Sequence, residues 1–220
     1  MDAVSQPSAP AGLAPQDVVL RFLESTGKPS EARLYLDLFR ARPREEFAAI
    51  AIDANVMADA ADAVLQDVRF LAALDLFPTL VLGLFQPAEA LTHARTLRRW
   101  LEAEGVHVEV VRARRPGLAA RVTTCARAGA VPVVVFEPAG EETPAARLDR
   151  LGALLRELAT RKLLFLHRPG GLRQGGALVP LVNLTTDVAG LLSSGELSRK
   201  EALILEGAQR LCEAAARPPS

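Results

Sequence analysis

Lysine is scarce in this sequence. Only three of the 220 residues are lysine, against 23 arginines, and the 26 basic and 26 acidic residues cancel. A balanced charge removes any whole-protein case for binding nucleic acid or an anionic membrane surface. No apolar run approaches the roughly 20 residues that a membrane-spanning helix needs. We therefore expect neither a nucleic-acid partner nor a membrane partner.

Cysteine and histidine are equally sparse. Cys125 and Cys212 are far apart without CxxC spacing, and each has apolar helical neighbours, so we predict buried reduced thiols and a cytoplasmic protein. His93, His107 and His167 lack a second histidine or cysteine at ligand spacing, so no metal site is predicted. His167 has the best position for a functional role, since it follows a predicted strand and ligands of open parallel sheets collect at strand carboxyl ends.

The familiar catalytic and phosphate-binding motifs are missing as well. The sequence contains no Walker loop, no G-x-G-x-x-G and no G-x-S-x-G. Its paired glycines, Gly170-Gly171 and Gly175-Gly176, lie in a predicted β-hairpin, where tight turning explains them more simply than phosphate binding.

One local cluster of charge is present. Arg112, Arg114 and Arg115 crowd a single predicted strand-to-helix connection. They could bind an anionic small molecule or an acidic partner face. The alternative is that they are solvated surface arginines, as most charge runs are.

Short apolar runs alternate with helical stretches over most of the chain. The runs lack strict polar alternation, which favours strands covered on both faces of a parallel sheet. The predicted strands are Phe47–Ile52, Thr79–Phe85, Val106–Val111, Val131–Phe136 and Leu163–Leu166, and the predicted helices between them are Val56–Leu76, Pro87–Glu104, Leu118–Ala128 and Pro144–Thr160. This order predicts a three-layer α/β/α domain with a mainly parallel sheet.

The two ends of the chain depart from this alternation. Residues 1–15, rich in Ser, Ala and Pro, lack the basic start and apolar block of a signal peptide, and we expect a disordered tail there. The sequence predicts two short helices within residues 16–43 and the α/β domain over residues 44–216. Near the C-terminus we predict a hairpin, a short helix near Asp187 and a last helix whose start carries a capping box, Ser198 and Glu201.

The second N-terminal helix, Ser30–Ala41, has one apolar stripe: Ala32, Tyr35, Leu36 and Phe39 fall at i, i+3, i+4 and i+7. Two helices packed on each other cannot cover all their large apolar residues. We therefore predict that this region either docks on the core of its own chain or contacts another subunit. The candidate interface residues are Phe22, Leu23, Tyr35 and Phe39.

Several segments in the right order resemble the amino-acid kinase domain of the N-acetylglutamate synthase and acetylglutamate kinase family. The stretches are "FLESTGKPSEARLYLDLFR", "FAAIAIDANVM", "FLAALDLFPTLVLGL", "AGAVPVVVFEPAGEE" and "LLRELATRKLLFLHRPGGLRQGGALVPLVNLTTDVAGLL". The resemblance covers about three quarters of the chain. It implies an open, mainly parallel sheet that binds ATP and acetylglutamate near its carboxyl edge.

The residues that this family uses to hold phosphate are replaced here. Active members end the first strand in K-x-G-G, whereas this chain has "AIDANV", so Asp53 stands at a turn where it would repel phosphate. The histidine–glycine loop after the second strand keeps only Gly83. In the last helix region Arg199 and Lys200 replace a glycine pair. The resemblance leaves Lys162 and Asp149 as catalytic remnants.

Two hypotheses follow from the degenerate site. The first is a non-catalytic regulatory or scaffolding protein linked to acetylglutamate synthesis and arginine biosynthesis, with no cofactor. The partners of such a protein would be further copies of the chain or a separate acetyltransferase subunit. Its candidate ligands would be arginine or acetylglutamate. The alternative is a minimal acetylglutamate kinase that uses Lys162, arginines and ATP with magnesium. The loss of preorganised phosphate donors favours the first.

Overall fold

The structure, a computed structural model, describes residues 48–160, 162–168, 171–179 and 181–216. The predicted tail and the predicted N-terminal helices lie outside this part of the chain. The strands are β1 (Ala49–Ile52), β2 (Thr79–Leu82), β3 (Val108–Arg112), β4 (Val131–Val135), β5 (Leu163–Leu166), β6 (Arg173–Gln174) and β7 (Ala177–Leu178). The helices are α1 (Ala54–Asp59), α2 (Ala61–Ala73), α3 (Ala90–Ala103), α4 (Leu118–Arg127), α5 (Pro144–Glu157), α6 (Val188–Ser193) and α7 (Arg199–Ala216).

Five of the strands form one parallel sheet in the order β3-β4-β2-β1-β5. The central strands are apolar apart from Thr79, and all residues of β2 and β4 are buried. Such runs are typical of a sheet with both faces covered. Since all five strands are parallel, their carboxyl ends share one edge, where open α/β sheets place their ligands.

The sheet separates two cores. Alternate strand residues such as Leu80 and Leu82 pack with α1, α2 and α3 on one face. The residues between them, such as Val81, pack with α4 and α5 on the other. This arrangement confirms the predicted three-layer α/β/α class with a parallel sheet. Helix α7 lies outside α5, with Leu211 against Gly152, and no described helix is long and apolar enough to cross a membrane.

Several local predictions are confirmed. Thr143 caps α5 by accepting a hydrogen bond from the Ala146 backbone amide (3.2 Å), and Pro144 occupies the first turn. At the start of α7, Ser198 and Glu201 exchange the two hydrogen bonds of a capping box (2.8 and 3.2 Å). Strands β6 and β7 form the predicted hairpin around Gly175-Gly176.

Two local predictions were wrong. The helix predicted over Val56–Leu76 is two helices, because the backbone of Ala60 is not helical (φ −141°, ψ 29°) and ends α1. Cys212 was expected to be buried, but its position on α7 leaves it exposed, whereas Cys125 is buried as predicted.

Candidate functional site

The turn after β1 opens the carboxyl edge of the sheet. Asp53 follows β1 with extended backbone and caps α1, accepting a hydrogen bond from the Asn55 amide (3.2 Å). Its side chain is only 4% exposed. A buried carboxylate is costly without a cationic or hydrogen-bonding partner, so its surroundings decide what the turn can do.

The partner of this carboxylate comes from the other end of the chain. Lys200, in the first turn of α7, forms an ion pair with Asp53 through its Nζ, and its side chain is 28% exposed. Lys200 Nζ also lies 5.9 Å from the centre of the Phe85 ring, within the range of a cation–π contact. The Phe85 ring packs against Phe165 of β5, with centroids 6.4 Å apart.

The expectation that Asp53 repels phosphate therefore needs a qualification. Its charge is balanced by Lys200, so the turn is locally neutral. What occupies the turn is a formed ion pair with two aromatic rings beside it. An incoming phosphate would have to compete with Asp53 for Lys200 while losing its own hydration.

His167 follows β5 at the same edge. Its Nδ1 is buried and finds no hydrogen-bond partner among the residues that the structure describes. Glu201 of the capping box lies close enough to interact electrostatically with His167. The pKa of Glu201 is lowered, mainly by the hydrogen bond from the Ser198 hydroxyl, with a smaller contribution from the charge of His167. His167 thus lies at the edge predicted for it, and a functional role for it stays a prediction.

The packing around Gly83, which follows β2, leaves no room for a side chain. Its φ of +82° is left-handed, and a Cβ there would lie 2.2 Å from the carbonyl oxygen of Phe136 and 2.6 Å from Ala90 Cβ. Close approach of two backbone segments therefore accounts for this glycine. A Cβ at Gly171 would meet only the end of the Leu178 side chain, 2.6 Å from its Cδ1, and Gly170 lies outside the described residues.

A buried arginine links the loops after β2 and β4. Arg147, in the first turn of α5, donates from Nε to the Leu84 carbonyl (2.6 Å) and from a terminal nitrogen to the Glu142 carbonyl (2.7 Å). Burial lowers the pKa of its guanidinium. The Glu142 carboxylate in turn pairs with Arg150 and, at 3.3 Å, with Arg114. No pattern in the sequence predicts this network, since Arg147 resembles any other charged residue of a helix.

Two arginines of the cluster predicted as an anion or partner site form ion pairs with acidic residues of this chain. Arg112 pairs with Glu137 at 3.4 Å, and Arg114 with Glu142. Arg115 is exposed, and within the described chain we find no ion pair for it. Two of the three guanidinium groups are therefore already neutralised by this chain, which favours the reading as surface arginines.

The structure does not bring the two catalytic remnants together. Lys162 precedes β5, so it lies at the amino end of the sheet, where its carbonyl accepts a hydrogen bond from the Ala49 amide (2.9 Å). Asp53 lies at the opposite end of the adjacent strand β1. Asp149 is on the outer surface of α5, exposed and 3.9 Å from Arg210 of α7. The proposed interface residues Phe22, Leu23, Tyr35 and Phe39 are outside the described chain.

A cavity of about 340 Å³ lies beside the edge strand β5. Ala60, Ala63, Val64 and Asp67 line one wall, with Val56, Phe165, Leu166, His167 and Gly171 completing it. The lining is mostly apolar. The described residues, including those that line this cavity, contain no cluster of three or more His, Cys, Asp or Glu side chains that could hold a metal ion.

No protein-family model and no curated protein sequence matches the chain. Among solved structures, the chain is similar to the crystal structure of UMP kinase from Bacillus anthracis. The TM-score is 0.47 and the sequence identity 12%, over 75% of this chain and 83% of that chain. A likeness of this extent carries no argument about family, ligand or reaction.

Proposed function

We propose that the chain is a non-catalytic, amino-acid kinase-like protein that regulates or scaffolds N-acetylglutamate synthesis in the cytoplasm. The observation that carries the proposal is the Asp53–Lys200 ion pair at the turn after β1. The sequence resemblance implies that active kinases hold the transferring phosphate at this turn. Here the turn has no glycine amide to donate, and Lys200, the lysine that reaches it in the described chain, is already paired.

Catalysis of phosphoryl transfer requires stabilisation of its transition state. Phosphoryl transfer depends on preorganised donors and cations around the transferring group, and removing a single donor of this type costs roughly 10²- to 10³-fold in rate. Lys200 could serve phosphate only by leaving a buried carboxylate without its cation, which costs about 1–3 kcal/mol. A partner role requires none of these groups.

A coupled ADP-release assay tests the absence of catalysis. The full chain with acetylglutamate and magnesium ATP should give no turnover above that of a protein-free blank. Turnover that disappears in Lys162→Ala would overturn the proposal. Calorimetry with magnesium ATP gives a second arm, because a micromolar Kd, about 8 kcal/mol of binding, is incompatible with a site that lacks phosphate donors.

The partner arm of the proposal needs a separate measurement. A free-standing acetyltransferase that makes acetylglutamate should elute with the full chain as one larger species, or change its response to arginine when the chain is added. An acetyltransferase that neither associates with the chain nor changes its response would contradict the scaffolding role. It would leave the result on catalysis intact.

The alternative function, a minimal acetylglutamate kinase, keeps one point of support: Arg115 is exposed near the carboxyl edge and unpaired in the described chain. It predicts turnover that falls in Arg115→Ala. The position of Lys162 at the amino end of β5 argues against the other group on which that hypothesis depends.

A further inference from the structure

Among the residues that the structure describes, no helix covers Leu164 on one face of the edge strand β5. Leu164 is paired in register with Ile50 of β1, and Ile50 packs in the core beneath α1, α2 and α3. Leu164 therefore points to that same face, yet its exposure is 45%. A doubly covered parallel sheet normally buries such a position, so this side of β5 is an open apolar surface.

The surface continues along α2. Ala63 and Asp67 line the cavity beside β5, and Phe70 lies three residues beyond Asp67 and seven beyond Ala63, on the same side of the helix. Phe70 is 43% exposed. We call this surface the β5 groove: the cavity next to Leu166 forms one end, and Phe70 and Leu164 lie toward the other.

We propose that residues 30–41 of the same chain dock in the β5 groove as a helix and supply its missing cover. The chain enters β1 next to β5, since the Ala49 amide donates to the carbonyl of Lys162, the residue before β5. Residues 42–47 are the link, and six extended residues span up to about 20 Å. That reach exceeds the roughly 13 Å length of β5, so the whole groove is accessible.

The apolar stripe of this segment fits the groove in length and in order. Twelve helical residues extend about 18 Å, slightly more than the strand they would cover. A helix that ends at the amino edge of the sheet runs parallel to α2. This direction places Phe39 near Leu164 and Phe70, and Tyr35 and Leu36 toward the cavity. The occupant is thus a neighbouring part of the chain and not an unknown partner.

The chain offers a single reporter for this contact, because Tyr35 is its only tyrosine. In the full chain labelled with 3-fluorotyrosine, we expect one fluorine resonance shifted away from that of a free peptide. The Leu164→Asp variant should return it to the free-peptide position. Leu181→Asp is the matched control, since Leu181 is 84% exposed and follows the hairpin.

Three results of this experiment would overturn the proposal. They are a wild-type resonance already at the free-peptide position, a resonance that Leu164→Asp leaves unchanged, and one that Leu181→Asp moves as far as Leu164→Asp does. Far-UV circular dichroism of both variants shows whether the domain is still folded when the resonance is read.

Cross-linking distinguishes the same chain from a second copy. In a Cys212→Ser background, the pair Phe39→Cys with Leu164→Cys should form a disulfide within one chain, at a yield independent of protein concentration. The pair Asp37→Cys with Leu164→Cys is the control, because Asp37 lies on the opposite side of the predicted helix. Equal yields for the two pairs would overturn the proposal, and so would disulfides found only in dimers.

Discussion

Lys200 reaches across the fold to neutralise Asp53, a residue 147 positions earlier in the chain. The contact ties the first turn of α7 to the turn after β1, at the edge where parallel sheets bind their ligands. The two side chains form an ion pair at this edge. Its stability can be measured directly.

Removing Lys200 should destabilise the domain. Lys200→Ala leaves a buried carboxylate without its cation, and we expect the free energy of unfolding to fall by about 1–3 kcal/mol. Arg199→Ala, at the exposed neighbouring position, should change it by less than about 0.5 kcal/mol. Urea denaturation of each variant provides the comparison.

A double-mutant cycle tests whether the two groups act as a pair. Asn can still cap α1 in place of Asp53, so Asp53→Asn combined with Lys200→Ala should be more stable than the sum of the single effects predicts. Strict additivity of the two substitutions would show that the ion pair contributes nothing to stability.

Gly83 should tolerate no side chain. Gly83→Ala places a Cβ against the Phe136 carbonyl at a left-handed φ, and we expect a loss of about 2–5 kcal/mol. Gly117→Ala is the matched control, since Gly117 has a φ of +67° and no atom within 4 Å of its added Cβ. Its free energy of unfolding should fall only by the cost of placing alanine in a left-handed backbone conformation, about 1–2 kcal/mol. Equal losses in thermal unfolding would mean that close approach does not matter at Gly83.

Arg147 should be needed for its shape as well as its charge. Arg147→Met leaves the Leu84 and Glu142 carbonyls without their donor, and we expect a loss of about 2–3 kcal/mol. Arg147→Lys should rescue little, because lysine has one nitrogen and cannot occupy both positions, Nε and a terminal nitrogen, from which the planar guanidinium reaches the two carbonyls. Arg156→Met, on the exposed side of the same helix, is the control for denaturant unfolding. Full rescue by lysine would contradict the geometric argument.

The two thiols should differ sharply in reactivity. Burial raises the pKa of Cys125 to about 12, and the nearby charge of Glu109 adds to the effect, while Cys212 is exposed. A chromogenic disulfide reagent at neutral pH should therefore modify one thiol of the folded chain quickly and the second only after unfolding. Two fast thiols, or a fast thiol that survives in Cys212→Ser, would contradict this assignment.

The same shift sets a pH dependence. The folded-state pKa of Cys125 lies above its ordinary value of 9.0, so the thiol's contribution to stability is complete below about pH 9. It is lost as the pH rises from there toward 12, because only the unfolded chain gains by releasing the proton. Cys125→Ser should remove this alkaline contribution from the pH profile of unfolding, whereas Cys212→Ser should leave it unchanged.

The sequence was most informative where its signal was local. The bounds of β5 were predicted to the residue, because a continuous apolar run stands between polar ends. The capping box of Ser198 and Glu201 was equally readable, since both partners lie within one helical turn. In contrast, the break at Ala60 lies within a run of helix-forming residues, where no glycine or proline marks it.

The candidate site could be predicted only in part, for a physical reason. The spacing of residues in sequence does not show which side chains meet across a sheet, so the pairing of Asp53 with Lys200 carries no sequence signature. Lys162 shows the converse case. Lys162 precedes β5 and Asp53 follows β1. Because the two strands are parallel, these residues must lie at opposite ends of the sheet, and strand polarity alone predicts that they are far apart.

The position of β1 between β2 and β5 has a consequence for synthesis on the ribosome. Four strands can pair once Val135 has emerged, and they leave one side of β1 without a neighbour. That vacancy closes only when β5 arrives, and Asp53 meets its cation later still, when α7 appears. At about 5–20 residues per second, the nascent chain carries an unpaired strand edge and an uncompensated carboxylate for seconds. During that interval it is most exposed to mispairing with other chains.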